Sequence, residues 1–438
     1  MPRFEYREGG ARKFWEISLA GASFTTRYGR IGTPGQEIQR DFHSAAAAQR
    51  ELERLIREKL RVGFERVESE ERPSAGVQRN AELEAAIAAT PDDPAPCRVY
   101  ADWLQAQGDP RGELMAIQCV ESAEKAQTRE LQEREQALIS RHLGAWLGVT
   151  LSDADEAVFD LTWRFGFVRK ARLRFREEAN LEILEALSKL LGSPVTGLLE
   201  ELTVGKLDPD GAHDFEDVVG VLADKAPPHL STLTLKDARA GGDVSALWEA
   251  TPRLRRLKLK GEGFVLGDIA APELRKFTLH AKRLTVAHCE AIGAAKWPHL
   301  RKLELRVAPG NGWATQRGQC RVGDLAPIFE GRGLSRLTHL GLQEAGYADE
   351  LVEPLALSPI LKQLETLDLS GGHLSDDGVD TMIRHSDAFK HLKELDISEN
   401  MIEVSALGRV RSICAVVKDD NQRRDRGERE DRYDEIGE

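Results

Sequence analysis

Cysteine is scarce in this 438-residue chain: Cys97, Cys119, Cys289, Cys320 and Cys414 are odd in number, scattered, and form no CxxC. That excludes a disulfide framework or a zinc ribbon and makes a reducing cytoplasm the expected compartment. Long apolar runs are missing as well. No stretch approaches the ~18 apolar residues of a membrane span, and the opening MPRFEYREGG is polar throughout, so neither export nor membrane insertion is expected. There is no GxxxxGK[ST], no GxGxxG after a strand and no GxSxG, which removes the usual signals of nucleotide, dinucleotide and hydrolase sites. Nor is there an overall positive excess. A net charge of −12 excludes a nucleic-acid coat made of the whole chain and moves the question of charge to its segments. What remains, 41% hydrophobic and 31% charged residues, is the composition of a folded, soluble protein of about three units.

The first segment, residues 1–67, reverses the global balance with 13 Lys or Arg against 9 Asp or Glu. Trp15, Ile17 and Leu19 alternate with polar residues, as do Phe24, Thr26 and Tyr28, which predicts two half-buried strands. The glycines and Pro34 of YGRIGTPGQ supply a turn. Beyond it Ser44 can cap a helix that places Leu52, Leu55, Ile56 and Lys59 on one side, with Gly63 as a stop. Arg27, Arg30 and Arg40 flank the turn, and Arg50, Arg54, Arg57, Lys59 and Arg61 crowd the helix. Such a cluster suits a phosphate-bearing partner. The competing reading is a solvated helix face, because Glu51, Glu53 and Glu58 are interleaved for local pairing.

The run FWEISLAGASFTTRYGRIGTPGQEIQRDFHSAAAAQRELERLIREKLRVGF resembles a WGR domain in strand pattern and following helix. WGR domains stand beside the catalytic region of DNA-dependent poly(ADP-ribose) polymerases and in bacterial proteins. In the polymerases they bind damaged DNA near a 5′-phosphorylated end, the signature Trp packing on the terminal nucleotide and the Arg contacting the backbone. The resemblance implies these roles for Tyr28 and Arg30 and implies DNA as a partner, while Arg27 and Arg40, as cations flanking the turn, are expected as further nucleic-acid contacts. Tyr28 replaces the signature Trp and offers less stacking area. The resemblance ends with this segment, leaving none for an ADP-ribosyl-transferring domain.

A polar stretch, ESEERPSAGVQRN, predicts a linker over residues 68–80. Helical spacing then dominates residues 81–147, where Leu83 and Ile87 mark one helix, Cys97, Tyr100, Ala101 and Leu104 a second, and Leu114 and Ile117 a third. The blocks DDPAP, YADWL and GDPRGE resemble the bacterial repeat-companion domain, a helical unit found beside repeats. Asp92, Asp93, Asp102, Asp109 and Glu113 have no metal-binding spacing and read as caps, turn residues and surface partners.

Between residues 161 and 417 the pattern LxxLxL recurs eight times, as LEELTV, LSTLTL, LRRLKL, LRKFTL, LRKLEL, LTHLGL, LETLDL and LKELDI. Their starts lie 20 to 37 residues apart, bracketing the ~20 to 29 of leucine-rich repeats, whose inward leucines make a core only by stacking. The expected fold class is therefore an α/β leucine-rich-repeat solenoid, preceded by the small α+β WGR-like domain and the short helical module. Asn400 and Ile402 complete a longer form of the repeat in LKELDISENMI. Function is then expected on the concave face, at Arg256, Lys258, Lys260, Lys276, His280, Lys302 and Arg306, a basic centre followed by an acidic end at Asp368, Glu394 and Asp396. It suits an acidic ligand or a protein partner. Trp313, in the insertion APGNGWATQRGQC, is a further anchor for a partner. Residues 418–438, with six basic and nine acidic residues, read as a charged flexible tail.

No catalytic, metal or cofactor site is expected. His288, Cys289 and Glu290 are adjacent, and consecutive helical positions point about 100° apart. DPDGAHDFEDVV opens like a calcium loop but carries Val219 where the closing Glu is needed. The sequence thus predicts a non-catalytic modular adaptor, binding nucleic acid through its first domain, with 5′-phosphorylated DNA ends or nicks as the candidate target, and a protein through its last. The alternative is a purely protein-binding scaffold.

Overall fold

A computed structural model describes residues 3–6, 13–20, 23–30, 36–42, 51–52, 54–57, 59, 61–62, 64–67, 79–124, 129–208, 211, 213–238, 241–307 and 320–423. The chain divides into two compact units, Met1–Gln78 and Arg79–Glu438.

The first unit is a five-stranded antiparallel sheet in the order β4-β3-β2-β1-β5, built from β1 (Arg3–Tyr6), β2 (Lys13–Ala20), β3 (Ser23–Arg30), β4 (Gln36–Asp41) and β5 (Glu65–Val67). Alternation sends Trp15 and Ile17 of β2 into a cluster with Phe4, against which Leu52, Leu55 and Ile56 of the helical residues pack. Lys59 lies with its ammonium 5.6 Å from the centre of the Trp15 ring and 5.3 Å from that of Phe64. A cation of the helix is therefore part of the packing. Ser44, Gly63 and most of the expected linker fall outside the described residues.

The second unit opens with α1 (Ala81–Ala89), α2 (Pro94–Ala106), α3 (Arg111–Glu124) and α4 (Arg129–Leu147). The side-chain oxygens of Asn80 and Asp93 accept from Leu83 N (3.2 Å) and Ala95 N (2.9 Å), capping the first two helices. Tyr100, Leu104 and Met115 from these helices share one buried cluster with Phe165 and Phe167, so the helical segment and the sheet that follows have a common core. The turn at Phe165–Gly166, both with positive φ, joins β6 (Phe159–Arg164) to β7 (Phe167–Leu173). A side chain on Gly166 would collide with Met115, which explains the glycine.

The strands continue as β8 (Glu201–Val204), β9 (Thr232–Ala238), β10 (Gly242–Asp243), β11 (Arg256–Gly261), β12 (Phe264–Val265), β13 (Lys276–Ala281), β14 (Lys302–Arg306), β15 (His339–Gln343), β16 (Thr366–Asp368), β17 (Glu394–Asp396) and β18 (Val417–Lys418). All but β10 and β12, which pair with each other, form one eleven-stranded sheet in chain order. Every pairing in it is parallel except β6–β7. The expected leucine-rich-repeat solenoid is corrected by this observation: the architecture is one large mixed sheet with helices. The hexad leucines do point inward, with Leu233, Leu257, Leu303 and Leu367 at most 1% exposed. Period-two alternation of that kind marks a strand with one buried face and does not define a repeating unit. The connections differ from one another, an eleven-residue helix at Phe215–Lys225, a four-residue one at Leu247–Ala250 and a 3-10 turn at Val322–Leu325 among them.

Two polar groups hold this sheet together where leucines cannot. Glu304 of β14, 13% exposed, bridges Lys276 (3.0 Å) and Lys302 (2.7 Å) and accepts from Thr278 Oγ1 at 2.8 Å. Burial pushes its carboxyl upward, but the hydrogen bonds from Lys302, Lys276 and Thr278 outweigh that and hold it at about 2. Asn400 is fully buried. Its amide donates to the carbonyls of Leu369 (2.9 Å), Ile397 (3.0 Å) and Ser398 (3.1 Å), and its oxygen accepts from Leu374 N at 3.0 Å.

Two outcomes are expected. A carboxyl lowered in the folded state stabilises above its unfolded value of 4.5, and that contribution disappears as pH falls towards 2. Glu304→Gln should therefore cost about 1–3 kcal/mol at neutral pH and flatten the loss of stability below pH 4.5, read from thermal melting across a pH series. Asn400→Ala should cost about 2–4 kcal/mol in denaturant unfolding, since it strands a buried N–H and several carbonyls.

Candidate functional site

The first unit brings its candidate residues to β3 and β4. Tyr28 stands directly opposite Trp15 in the register, yet Trp15 is 4% exposed and Tyr28 39%. An aromatic ring is thus presented at the end of a strand whose partner residue anchors the core. The backbone position of Arg30, two residues on, falls on the same face of β3 and pairs with Lys13. Arg27 is one residue off that spacing and lies between Glu16 and Glu37 in the register, so the structure separates it from the Tyr28 face. Arg40 is exposed on β4, opposite Phe24, and therefore joins that face. Ile38, 42% exposed and paired with Thr26, adds an apolar surface beside Tyr28 that the sequence reading passed over. The alternation in QEIQRD, placing Gln36, Ile38 and Arg40 on one side, was its signal. Of the helix cations, Arg54 hydrogen-bonds Glu51 at 2.8 Å, whereas Arg57 and Arg61 are exposed. Residues 31–35 of the turn lie outside the described residues.

On the sheet of the second unit, Arg256, Lys276 and Lys302 occupy one cross-strand row, Lys258, Thr278 and Glu304 the next, and Lys260 and His280 the one beyond. The expected basic centre is therefore assembled, but much of it is internally neutralised. Lys276 and Lys302 share Glu304, and Arg306 pairs with Glu344 at 2.5 Å. Burial, followed by the charges of Lys258 and Arg306, lowers His280 to about 4, so its ring is neutral near pH 7. The positive character concentrates on β11, where Arg256 and Lys258 are exposed. Glu304 was legible, since it holds the same alternating position as Lys258. At the far end Gln343 Nε2 donates to Asp368 at 2.6 Å and Lys418 bridges Glu394 at 2.8 Å, which tempers the acidic end in the same way. Trp313 lies outside the described residues.

The groups that look catalytic in the sequence each meet a structural partner. His288 is buried, its Nε2 2.7 Å from Phe264 O, while its Nδ1 accepts from Thr285 N at 3.2 Å. It does not face Cys289, whose Sγ lies 3.0 Å from that of Cys320. The hydrogen bond to Cys320, together with burial, raises the Cys289 thiol, the opposite of an activated thiolate. Asp214 caps the helix at Phe215 and Asp208 accepts from His213 N at 2.8 Å. Asp92 pairs with Arg164 at 2.7 Å and Asp109 with the buried Arg111 at 3.1 Å. Among the described residues no group of three or more His, Cys, Asp or Glu could hold a metal ion, and no helix is long and apolar enough to cross a membrane.

Comparison with known proteins adds three findings. A crystal structure of a Bacteroides fragilis protein, solved as a structural genomics target, is similar over 95% of this chain and 95% of its own at 20% identity and a TM-score of 0.51, which shows a shared fold. No curated protein matches the chain. The resemblances to leucine-rich-repeat and repeat-companion families find no support here, whereas the family model of the WGR domain matches residues 3–71. Residues 3–71 of this chain are a WGR domain.

Proposed function

We propose that the protein is a non-catalytic adaptor whose WGR domain engages nucleic acid at a 5′-phosphorylated end or nick, while the open face of the large sheet takes an acidic protein partner. The observation that carries the reading is the WGR match over residues 3–71 together with the exposure of Tyr28 on β3. Tyr28 and Ile38 supply an apolar platform for a terminal nucleotide, and Arg30 and Arg40 supply cations for the flanking phosphates. On the sheet, Arg256 and Lys258 are the cations that an acidic segment would meet first. The pairing of Lys276, Lys302 and Arg306 with carboxylates favours positioning over raw attraction there.

The test is titration of the full chain with nicked 5′-phosphorylated, blunt and single-stranded DNA at several salt concentrations. Arg30→Glu should abolish most of the affinity for the nick. Tyr28→Ala should weaken binding by about 1–3 kcal/mol, the contribution of one base–aromatic stack, and Tyr28→Trp should strengthen it. Absence of salt-sensitive binding to the nick would leave a protein-binding scaffold as the reading. For the sheet, Arg256→Glu with Lys258→Glu should weaken capture of a labelled oligoglutamate peptide roughly fivefold, since exposed ion pairs contribute up to about 1 kcal/mol each. Unchanged capture would move the partner surface elsewhere.

A further inference from the structure

Starting from Arg169 within β7 and then running through the residues that directly precede the following strands of the large sheet, a second row is held in step by backbone hydrogen bonds. Glu200 N donates to Arg169 O, Ser231 N to Glu200 O, Arg255 N to Ser231 O, Arg275 N to Arg255 O, Arg301 N to Arg275 O and Thr338 N to Arg301 O, all at 2.8–2.9 Å. The row continues through Glu365 and Lys393. Its carboxylates are engaged at both ends, Glu200 by Arg169 and Glu365 by Lys393 at 2.9 Å. In the middle stand three exposed arginines in succession, Arg255, Arg275 and Arg301, with no ion pair among the described residues. Each follows a leucine no more than 3% exposed, Leu254, Leu274 or Leu300, so the rungs are fixed from beneath.

Beside the last two rungs the surface dips into a recess of about 150 Å3, roughly the volume of five waters. It is lined by Arg275, Arg301, Arg336, His299 and one carboxylate, Glu273. Arg336 Nη1 lies 3.1 Å from His299 Nδ1. A guanidinium only donates, so Nδ1 accepts and the neutral ring carries its proton on Nε2. The recess therefore gathers three guanidiniums and an imidazole N–H, donors matched to phosphate oxygens.

We propose that the Arg255–Arg275–Arg301 ladder, with Arg336 and His299, is a second nucleic-acid contact surface that tracks a phosphate backbone independently of the WGR domain. Successive rungs lie about 4.8 Å apart, so the ladder spans roughly 10 Å, the axial length over which one strand of a duplex presents about three phosphates. An array of like charges at regular steps is costly in the free protein and matches a polymer charged at regular steps. The choice of nucleic acid as partner rests on the proposed role of the WGR domain; the arginine geometry does not.

The experiment uses the full chain and a covalently closed duplex, which has neither a nick nor a free end, over a salt series. Replacing Arg255, Arg275 and Arg301 together by Gln should lower the slope of log affinity against log salt by about 2 to 3, because each phosphate neutralised contributes about 0.9. The same three positions as Lys should restore most of the slope while binding more weakly, since charge returns without the bidentate fork. Thermal melting should be unchanged, as the leucines beneath are untouched. A Gln variant with the wild-type slope and affinity overturns the proposal. So does ladder-dependent binding of oligoglutamate without binding of duplex, which would make the ladder a protein-docking surface. Tyr28→Ala/Arg30→Glu, assayed in parallel, should keep the ladder-dependent slope on the closed duplex. Its failure to affect nick binding would reject the roles proposed for Tyr28 and Arg30 alone.

Discussion

The second unit depends on one constraint: strands separated by tens of residues must meet in a common register. The row Leu202, Leu233, Leu257, Phe277, Leu303 and Leu340 runs across six strands without a slip, and each member is buried. A shift of one residue anywhere would turn every leucine of that strand to solvent and every cation to the core. Phe277 shows how the row is held from below, its ring 6.5 Å from that of Trp248 and 5.5 Å from that of Trp297. Register, once fixed by these apolar contacts, places every polar residue of the open face and of the sheet's edge.

That placement explains why the charges behave differently in neighbouring rows. Within the strands Glu304 falls between Lys276 and Lys302, and burial makes the three a single bridged group. One row earlier, outside the strands, the same leucine spacing sets three arginines in line with their acidic row-mates occupied elsewhere. The chain is acidic overall, so such a concentration of cations is a local property.

The WGR domain is organised by a different device. Its antiparallel sheet has one strand, β2, that commits Phe14, Trp15 and Ile17 to the interior, and the adjoining β3 and β4 are left to carry Tyr28, Ile38 and Arg40 at the surface. Lys59 is spent on the rings of Trp15 and Phe64. A tally of basic residues therefore overstates the positive charge left free on this domain.

Local pattern alone determined a good deal. The alternation of Trp15, Ile17 and Leu19 marked β2, the cap at Asp93 bounded a helix, and the eight leucine hexads marked strands with one buried face, because period-two burial and capping are properties of a few consecutive residues. The class of architecture did not follow from them. Leucines at that spacing are compatible with any sheet that hides one face, and the antiparallel β6–β7 pair, the core shared by Tyr100 and Phe167 and the continuous eleven-strand order arise only when distant segments meet. The candidate cations were legible one by one. Their neutralisation by Glu304 and Glu344, the separation of Arg27 from Tyr28, and the alignment of Arg255 with Arg275 and Arg301 were decided by cross-strand register, which no single stretch of the sequence contains.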